Sequence, residues 1–390
     1  MSKLLTSCTT DHLFLLIGTN PLPNYVTAKL LAGPKTHVYL VHSDETGDLA
    51  NRLVSTLKLP EGKWSKVSVK EADPCSIYSE VSKYARDKSV IGLNYTGGTK
   101  LMAVHAFQAV RDADPDAIFS YLDAWELKMI AGRSGAYPVE ITANNKVNIN
   151  FKELLSLHGL TLDENEFSKE LKYPHLCKAI ADLNKNEKSL SVWKRWVNKN
   201  QCKDLPLQVD ELDGVIQAMR EICDGLEFNG DNLARFLGYE RGLSSSQIWF
   251  QGKWLENHVL NIIIQLVNRN DITNVSDYGM NLRCKKDSKQ KDSSFELDVA
   301  LILGYQLFAI SCIVSDDKAK CKEHLFEAYV RAKQMGGDEA KVGLVCNYDR
   351  PELLQQEVEE SWDVPKKKIR VFGSKHWPAL TEYLMDWFNS

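Results

Sequence analysis

The sequence predicts an α/β protein in three parts: a doubly wound domain over residues 1–148, a helical segment over 149–247 and a second α/β domain over 248–390. Three observations predict it. Short apolar runs alternate with helical patterns through the first 130 residues, as parallel strands joined by crossover helices do. Helical patterns broken by Asn, Lys and Asp follow. From residue 252 a helix and then alternating strands restore the α/β rhythm. A length of 390 residues suits two or three domains of ordinary size.

In order, the apolar run 13–17 reads as a buried parallel strand, and 25–31 as the helix behind it. Residues 38–41 form a second strand with the helix 47–57. Residues 64–69 form a third with the helix 74–87, and 90–93 a fourth with the helix 101–111. Residues 117–122 and 125–130 close the sheet. Helical patterns then recur at 151–158, 164–171, 175–183, 190–198 and 209–223, and residues 226–237 have the size of a winged-helix element. No helix there carries a dense Lys/Arg cluster, which favours a spacer over a DNA reader. The last part reads as the helix 252–267, strands at 277–282, 294–303 and 305–314, the helix 318–335, strands at 341–346 and 369–372, and the helix 376–388.

Composition removes several function classes. No run of about eighteen apolar residues exists to cross a membrane, and residues 1–10 lack the basic flank and apolar core of a secretory signal. The nine cysteines are scattered without paired spacing, which speaks for reduced thiols in a cytoplasm, with neither a disulfide framework nor a zinc site. A net charge of −4 gives no global attraction to nucleic acid, so any such contact must be local.

The fourth strand ends in Asn94-Tyr95-Thr96-Gly97-Gly98-Thr99-Lys100, directly before a helix. A strand, a glycine loop and a helix N-terminus in that order aim backbone N–H groups at one point, which suits a phosphate. The plainer reading is a βα turn that uses glycine for tightness. The first strand ends in a comparable loop, Gly18-Thr19-Asn20-Pro21-Leu22-Pro23-Asn24, and the second supplies Ser43 and Asp44 at the same height. Ligands of open α/β sheets bind beyond the carboxyl ends of strands, where strand order reverses.

In the last part, Glu256 falls on the apolar stripe of Val259, Leu260 and Ile263, where a carboxylate needs a partner: an ion pair or a metal. Alternation over 294–303 puts Phe295, Leu297, Val299 and Leu301 on one face, with Glu296 and Asp298 on the other. A polar hairpin holding Arg283, Lys285, Lys286, Lys289 and Lys291 reads as a solvated loop, and it is also the best local candidate for a phosphate backbone.

The two N-terminal loops resemble those of CRISPR-associated Rossmann fold (CARF) domains, over about the first 150 residues. The resemblance implies a receptor for cyclic oligoadenylates, cyclic tetra-adenylate above all, made by type III CRISPR complexes and bound across a homodimer. It places Asn20, Thr96, Gly97, Gly98, Thr99 and Lys100 against the ligand, with Thr19 and Ser43 nearby. The stretch from GKWLE through FELDVALI and LFAISCI resembles the PD-(D/E)xK nuclease-like domains fused to CARF domains. This implies a restriction-endonuclease-like fold, Mg²⁺ or Mn²⁺ on Glu256 and Asp298, and DNA or RNA as substrate, touched by Lys285, Lys286 and Lys289. Where that family carries an acid, a spacer and a lysine, this chain has Ser311, Cys312 and Ile313. Serine is a weak metal ligand and isoleucine is none. A relocated amine from Lys318 or Lys322, and a carboxylate from Glu323 or Glu327, are the expected substitutes. The alternatives are a sensor with a decayed nuclease domain, or a ring nuclease that cleaves its own messenger with Lys100 and the Thr96 and Thr99 hydroxyls.

Overall fold

The computed structural model describes residues 8–199, 210–222, 249–286 and 294–390. The first sheet has seven strands: β1 (Thr10–Leu16), β2 (Ala32–His42), β3 (Trp64–Ser68), β4 (Ile91–Asn94), β5 (Ile118–Asp123), β6 (Lys128–Arg133) and β7 (Val139–Thr142). Their order is β3-β2-β1-β4-β5-β6-β7, with β1 to β5 parallel and β6 and β7 antiparallel. Strand order therefore reverses between β1 and β4. Helices α1 (Leu22–Leu31), α2 (Gly47–Leu57), α3 (Pro74–Ala85) and α4 (Lys100–Ala113) are the crossovers. The α3 and α4 side chains Ile77, Val81, Met102 and Ala106 share a core with Phe14 and Leu16 on one face of the sheet.

The second sheet has the order β13-β12-β11-β10-β9-β8, built from β8 (Leu160–Leu162), β9 (Val275–Lys286), β10 (Ser294–Leu303), β11 (Gln306–Ile313), β12 (Lys341–Cys346) and β13 (Ile369–Phe372). Between the two sheets lie α1, α2, α5 (Phe151–Leu157), α10 (Lys318–Gly336) and α11 (Pro351–Ser361), whose apolar residues join one continuous core with both sheets. The far face of the second sheet packs on α9 (Trp254–Asn268) and α12 (Leu380–Phe388), with α6 (Pro174–Asp182) and α8 (Asp213–Ile222) in the same cluster. Helix α7 (Glu187–Lys199) adds Trp193 and Trp196 to it.

Three expectations need correction. The segment expected to be wholly helical supplies β8, which pairs with β9 through Leu160↔Lys286. No helix forms at 164–171; there Phe167 lies on Gly279, where an added Cβ would sit 2.3 Å from its ring, and Ser168 bridges Met280. The alternation of β10 also breaks at Asp298. Leu297 joins the inter-sheet core, whereas Val299 and Leu301 join the α9 cluster. Opposite the break, Asn281 has a left-handed φ of 54°, and the β9·β10 register skips it. The proposed winged-helix element at 226–237 lies outside the described residues.

Candidate functional site

The reversal of strand order brings the loops after β1 and β4 into contact. A Cβ on Gly97 would lie 2.2 Å from the Leu16 carbonyl oxygen and 3.1 Å from Gly18 N, and one on Gly18 would lie 2.8 Å from Gly98 N. Gly98 also takes a φ of 74°. These glycines let two backbones touch, which is the local reason that the sequence spends them here. Asn94 is fully buried behind them. Its Nδ2 donates to the Ser120 oxygens at 3.1–3.2 Å, and its Oδ1 accepts from Thr96 N.

Between the loops is a cleft of about 200 Å³ lined by Thr19, Asn20, Thr96, Gly97, Gly98 and Tyr121, and closed by Asp338 and Glu339. Asn20 is pinned on both sides: its Oδ1 accepts from Leu22 N at 3.1 Å, and its Nδ2 donates to Glu339 Oε2 at 3.4 Å. Thr96 Oγ1 accepts from Leu122 N at 2.7 Å. Thr99 and Lys100 do not line the cleft. The Thr99 hydroxyl oxygen caps α4 by accepting from Met102 N, and Lys100 stands exposed in the first helical turn, where backbone N–H groups lack intrahelical acceptors. Ser43 belongs elsewhere: it is buried and turned onto Thr46 through both its amide and its hydroxyl. Sequence reasoning missed Tyr121, Asp338 and Glu339. Tyr121 stands half-exposed and stacked on Tyr95, with ring centroids 6.0 Å apart. Burial pushes the Glu339 carboxyl up to about 7.

A second cluster forms where α9 crosses β9 and β10. Glu256 is 6% exposed, as its place on the apolar stripe predicts. Lys253, one turn earlier, donates to Glu256 Oε2 at 3.0 Å, to Asn281 Oδ1 at 3.0 Å and to Glu296 Oε1 at 3.3 Å. Asp298 Oδ2 accepts from the Ser311 hydroxyl at 3.1 Å and from Cys312 N at 2.7 Å. The break in β10 explains this. Pairing of β10 with β11 starts only at Val299↔Ile310, so the Cys312 N–H takes the carboxylate as its acceptor. Burial, with the Asp298 charge beside it, pushes Glu256 up to about 8 in spite of the Lys253 ammonium. Asp298 is raised by burial as well, opposed by the Cys312 and Ser311 hydrogen bonds. Burial works against the Lys253 charge, but Glu256 and Glu296 together hold it above its ordinary range.

The lysine that meets Glu256 is Lys253, and neither Lys318 nor Lys322 does so. Lys318 and Lys322 both reach Glu357 on α11, Lys322 at 3.0 Å. Their helix α10 packs on the opposite face of the second sheet from α9. Lys285 is paired with Asp163 at 2.6 Å because β8 ends beside it. The Lys286 side chain and Lys289 lie outside the described residues. Lys253 and Glu256 line a cleft of about 670 Å³ with Lys169, Trp249, Asn257 and Asn281.

Among known proteins, the Card1 CARF domain family matches residues 13–150. No curated protein sequence matches the chain. Two of the solved structures that match it share its fold over nearly the whole length. One is Can2 from Sulfobacillus thermosulfidooxidans, solved in complex with cyclic tetra-adenylate: TM-score 0.73, 17% identity, 99% of each chain covered. The other is protein VC1899 from Vibrio cholerae: TM-score 0.65, 14% identity, 97% of this chain and 98% of that one covered. At such identities the likeness is one of fold. Residues 13–150 thus match a CARF domain of the Card1 type, set within a whole-chain fold shared with Can2.

Proposed function

We propose that this chain is a cyclic oligoadenylate receptor of CRISPR defence, and that ligand at the β1/β4 cleft activates cleavage of nucleic acid by the C-terminal domain. The observation that carries the receptor reading is the cleft at the strand-order reversal, on a segment matching the Card1 CARF domain. The fold neighbour Can2 was solved with cyclic tetra-adenylate, which makes that ring the first ligand to test. The first turn of α4 offers N–H groups and the Lys100 charge to a phosphate, and Tyr121 offers a face on which a base can stack. A cyclic oligoadenylate is itself symmetric, so two copies of the cleft related by a two-fold axis would share one ring.

The nuclease reading is carried by the convergence of Glu256, Asp298 and Lys253. Among the described residues no group of three or more His, Cys, Asp or Glu comes together to hold a metal. Two carboxyls raised by burial fit Mg²⁺ or Mn²⁺ all the same, because Mg²⁺ takes one or two carboxylates and completes its shell with water and phosphate oxygens. Such an ion would supply an activated water and charge stabilisation at the scissile phosphate. Ser311 and the Cys312 N–H fix the Asp298 carboxylate, doing the orienting work expected of a supporting shell. Lys253 places an ammonium beside Glu256, where it would neutralise charge developing on the phosphate.

The test is to incubate the full chain with Mg²⁺ or Mn²⁺ and plasmid, single-stranded DNA or single-stranded RNA, with and without cyclic tetra- or hexa-adenylate. Ligand-dependent cleavage that disappears in Asp298→Ala is the expected result. Tight ligand binding without cleavage would leave the receptor and remove the nuclease. Linearisation of the messenger in chelator would move the chemistry to the cleft.

A further inference from the structure

We infer that the turn Gly337–Glu339 is a wedge that an anionic ligand must displace from the cleft, which passes ligand entry on to the C-terminal domain. This rests on the receptor reading above. The turn belongs to the C-terminal domain, yet Asp338 and Glu339 line the cleft opposite Gly18, Asn20 and Gly97. Glu339 is 1% exposed, and it accepts from Asn20 across the domain boundary. The fit is tight. Gly337 has a left-handed φ of 63°, and a Cβ there would lie 1.9 Å from Asn20 Nδ2. The turn is also held from its own side: Gln306 Nε2 donates to the Glu339 carbonyl at 2.9 Å, and Lys368 Nζ donates to the Asp338 carbonyl.

The close contact of the turn with Asn20 and the Asn20–Glu339 hydrogen bond both oppose a ligand in this arrangement. With the turn in place, the cleft on one protomer holds about 200 Å³. A phosphate entering beside Asn20 meets the Asp338 carboxylate, paired with Lys333 at 3.4 Å, and the Glu339 carboxyl, which faces the Lys368 ammonium, and Asn20 must leave Glu339 to donate to it. What moves next is set by connectivity. The turn ends α10 and leads into β12, and β12 pairs with β11 through Ser311↔Leu344. Ser311 is the residue bonded to Asp298. One short segment therefore touches the cleft at one end and the strand of the carboxylate cluster at the other.

The test uses the full chain, titrated calorimetrically with cyclic tetra-adenylate and with cyclic hexa-adenylate. Glu339→Gln keeps the shape and removes the charge, and it is expected to bind at least fivefold more tightly than the wild type. Hydrogen exchange of the wild type, which depends on no variant folding, is expected to show faster exchange at amides 337–341 when ligand is bound. Equal or weaker binding by Glu339→Gln, with the wild type still binding, would overturn the wedge and leave the receptor standing. Slower exchange at 337–341 would overturn it too, because the turn would then be a clamp. Failure of the wild type to bind either ring would overturn the receptor reading, and the wedge with it.

Discussion

Glu256→Gln tests whether the α9 cluster is held together against its own burial cost. A carboxyl held at about 8 in the folded chain ionises at about 4.5 once unfolded, so the native state binds the extra proton between those values. The unfolded state binds fewer protons there, and stability must fall as pH rises through that window. At about 1.36 kcal/mol per pH unit, the Glu256 contribution costs about 2 kcal/mol at pH 6 and about 4 kcal/mol at pH 8. Asp298, also raised by burial, pulls in the same direction. Glutamine keeps the shape and removes the ionisation. Urea unfolding in chelator from pH 5.5 to 8.5 should show the wild type losing about 2 kcal/mol relative to Glu256→Gln between pH 6 and pH 8. Millimolar Mg²⁺ should recover part of that loss in the wild type alone, because it binds the carboxylate form. Parallel curves for the two proteins, or a wild type that gains on the variant as pH rises, would refute the burial argument.

Gly97→Ala should cost about 1–3 kcal/mol and abolish ligand binding, because its Cβ runs into the Leu16 carbonyl; thermal melts and titration calorimetry read the two effects. Lys253→Met should lower nucleic-acid cleavage by about 10²–10³-fold and leave ligand affinity unchanged, as measured by single-turnover rates and calorimetry. The double variant Lys318→Ala/Lys322→Ala should keep cleavage within about twofold, since both amines serve Glu357. A tenfold loss of rate in that variant would return those lysines to the site.

The first sheet was legible because its signals are local. Each buried parallel strand is a short apolar run that ends in turn residues, and the glycines at 18, 97 and 98 mark where two such ends meet. Glu256 was legible for the same reason, as a carboxylate on an apolar stripe. The misses share a different cause. Lys253 reads as an ordinary lysine in the first turn of the helix 252–267, and its contacts with Asn281 and Glu296 from two strands are what the sequence does not report. Glu339 is 319 positions from Asn20, and no periodicity reports a contact made by docking two sheets. The phase break at Asp298 is invisible to alternation because the strand from Val299 to Leu303 is apolar on both faces. Strand β8 was hidden by its length of three residues, which owe their extended form to β9.

The core shared by the two sheets has a consequence for how the chain comes apart. Leu154 and Phe151 on α5 belong to the same cluster as Leu13 and Leu40 from the first sheet and Ile302 and Leu344 from the second. The backbone closes over that seam as well: Ile149 N donates to the Gly304 carbonyl, and Tyr305 N donates to Asn144 Oδ1. A fragment ending near residue 148 would keep α1 and α2 on that side of the first sheet but lose α5, α10, α11 and the second sheet that cover them, leaving a sticky apolar surface in place of an independent receptor module. Calorimetry of the intact chain should accordingly give one joint transition for both sheets, so that a small molecule seated on the N-terminal sheet would raise the melting of the C-terminal one with it.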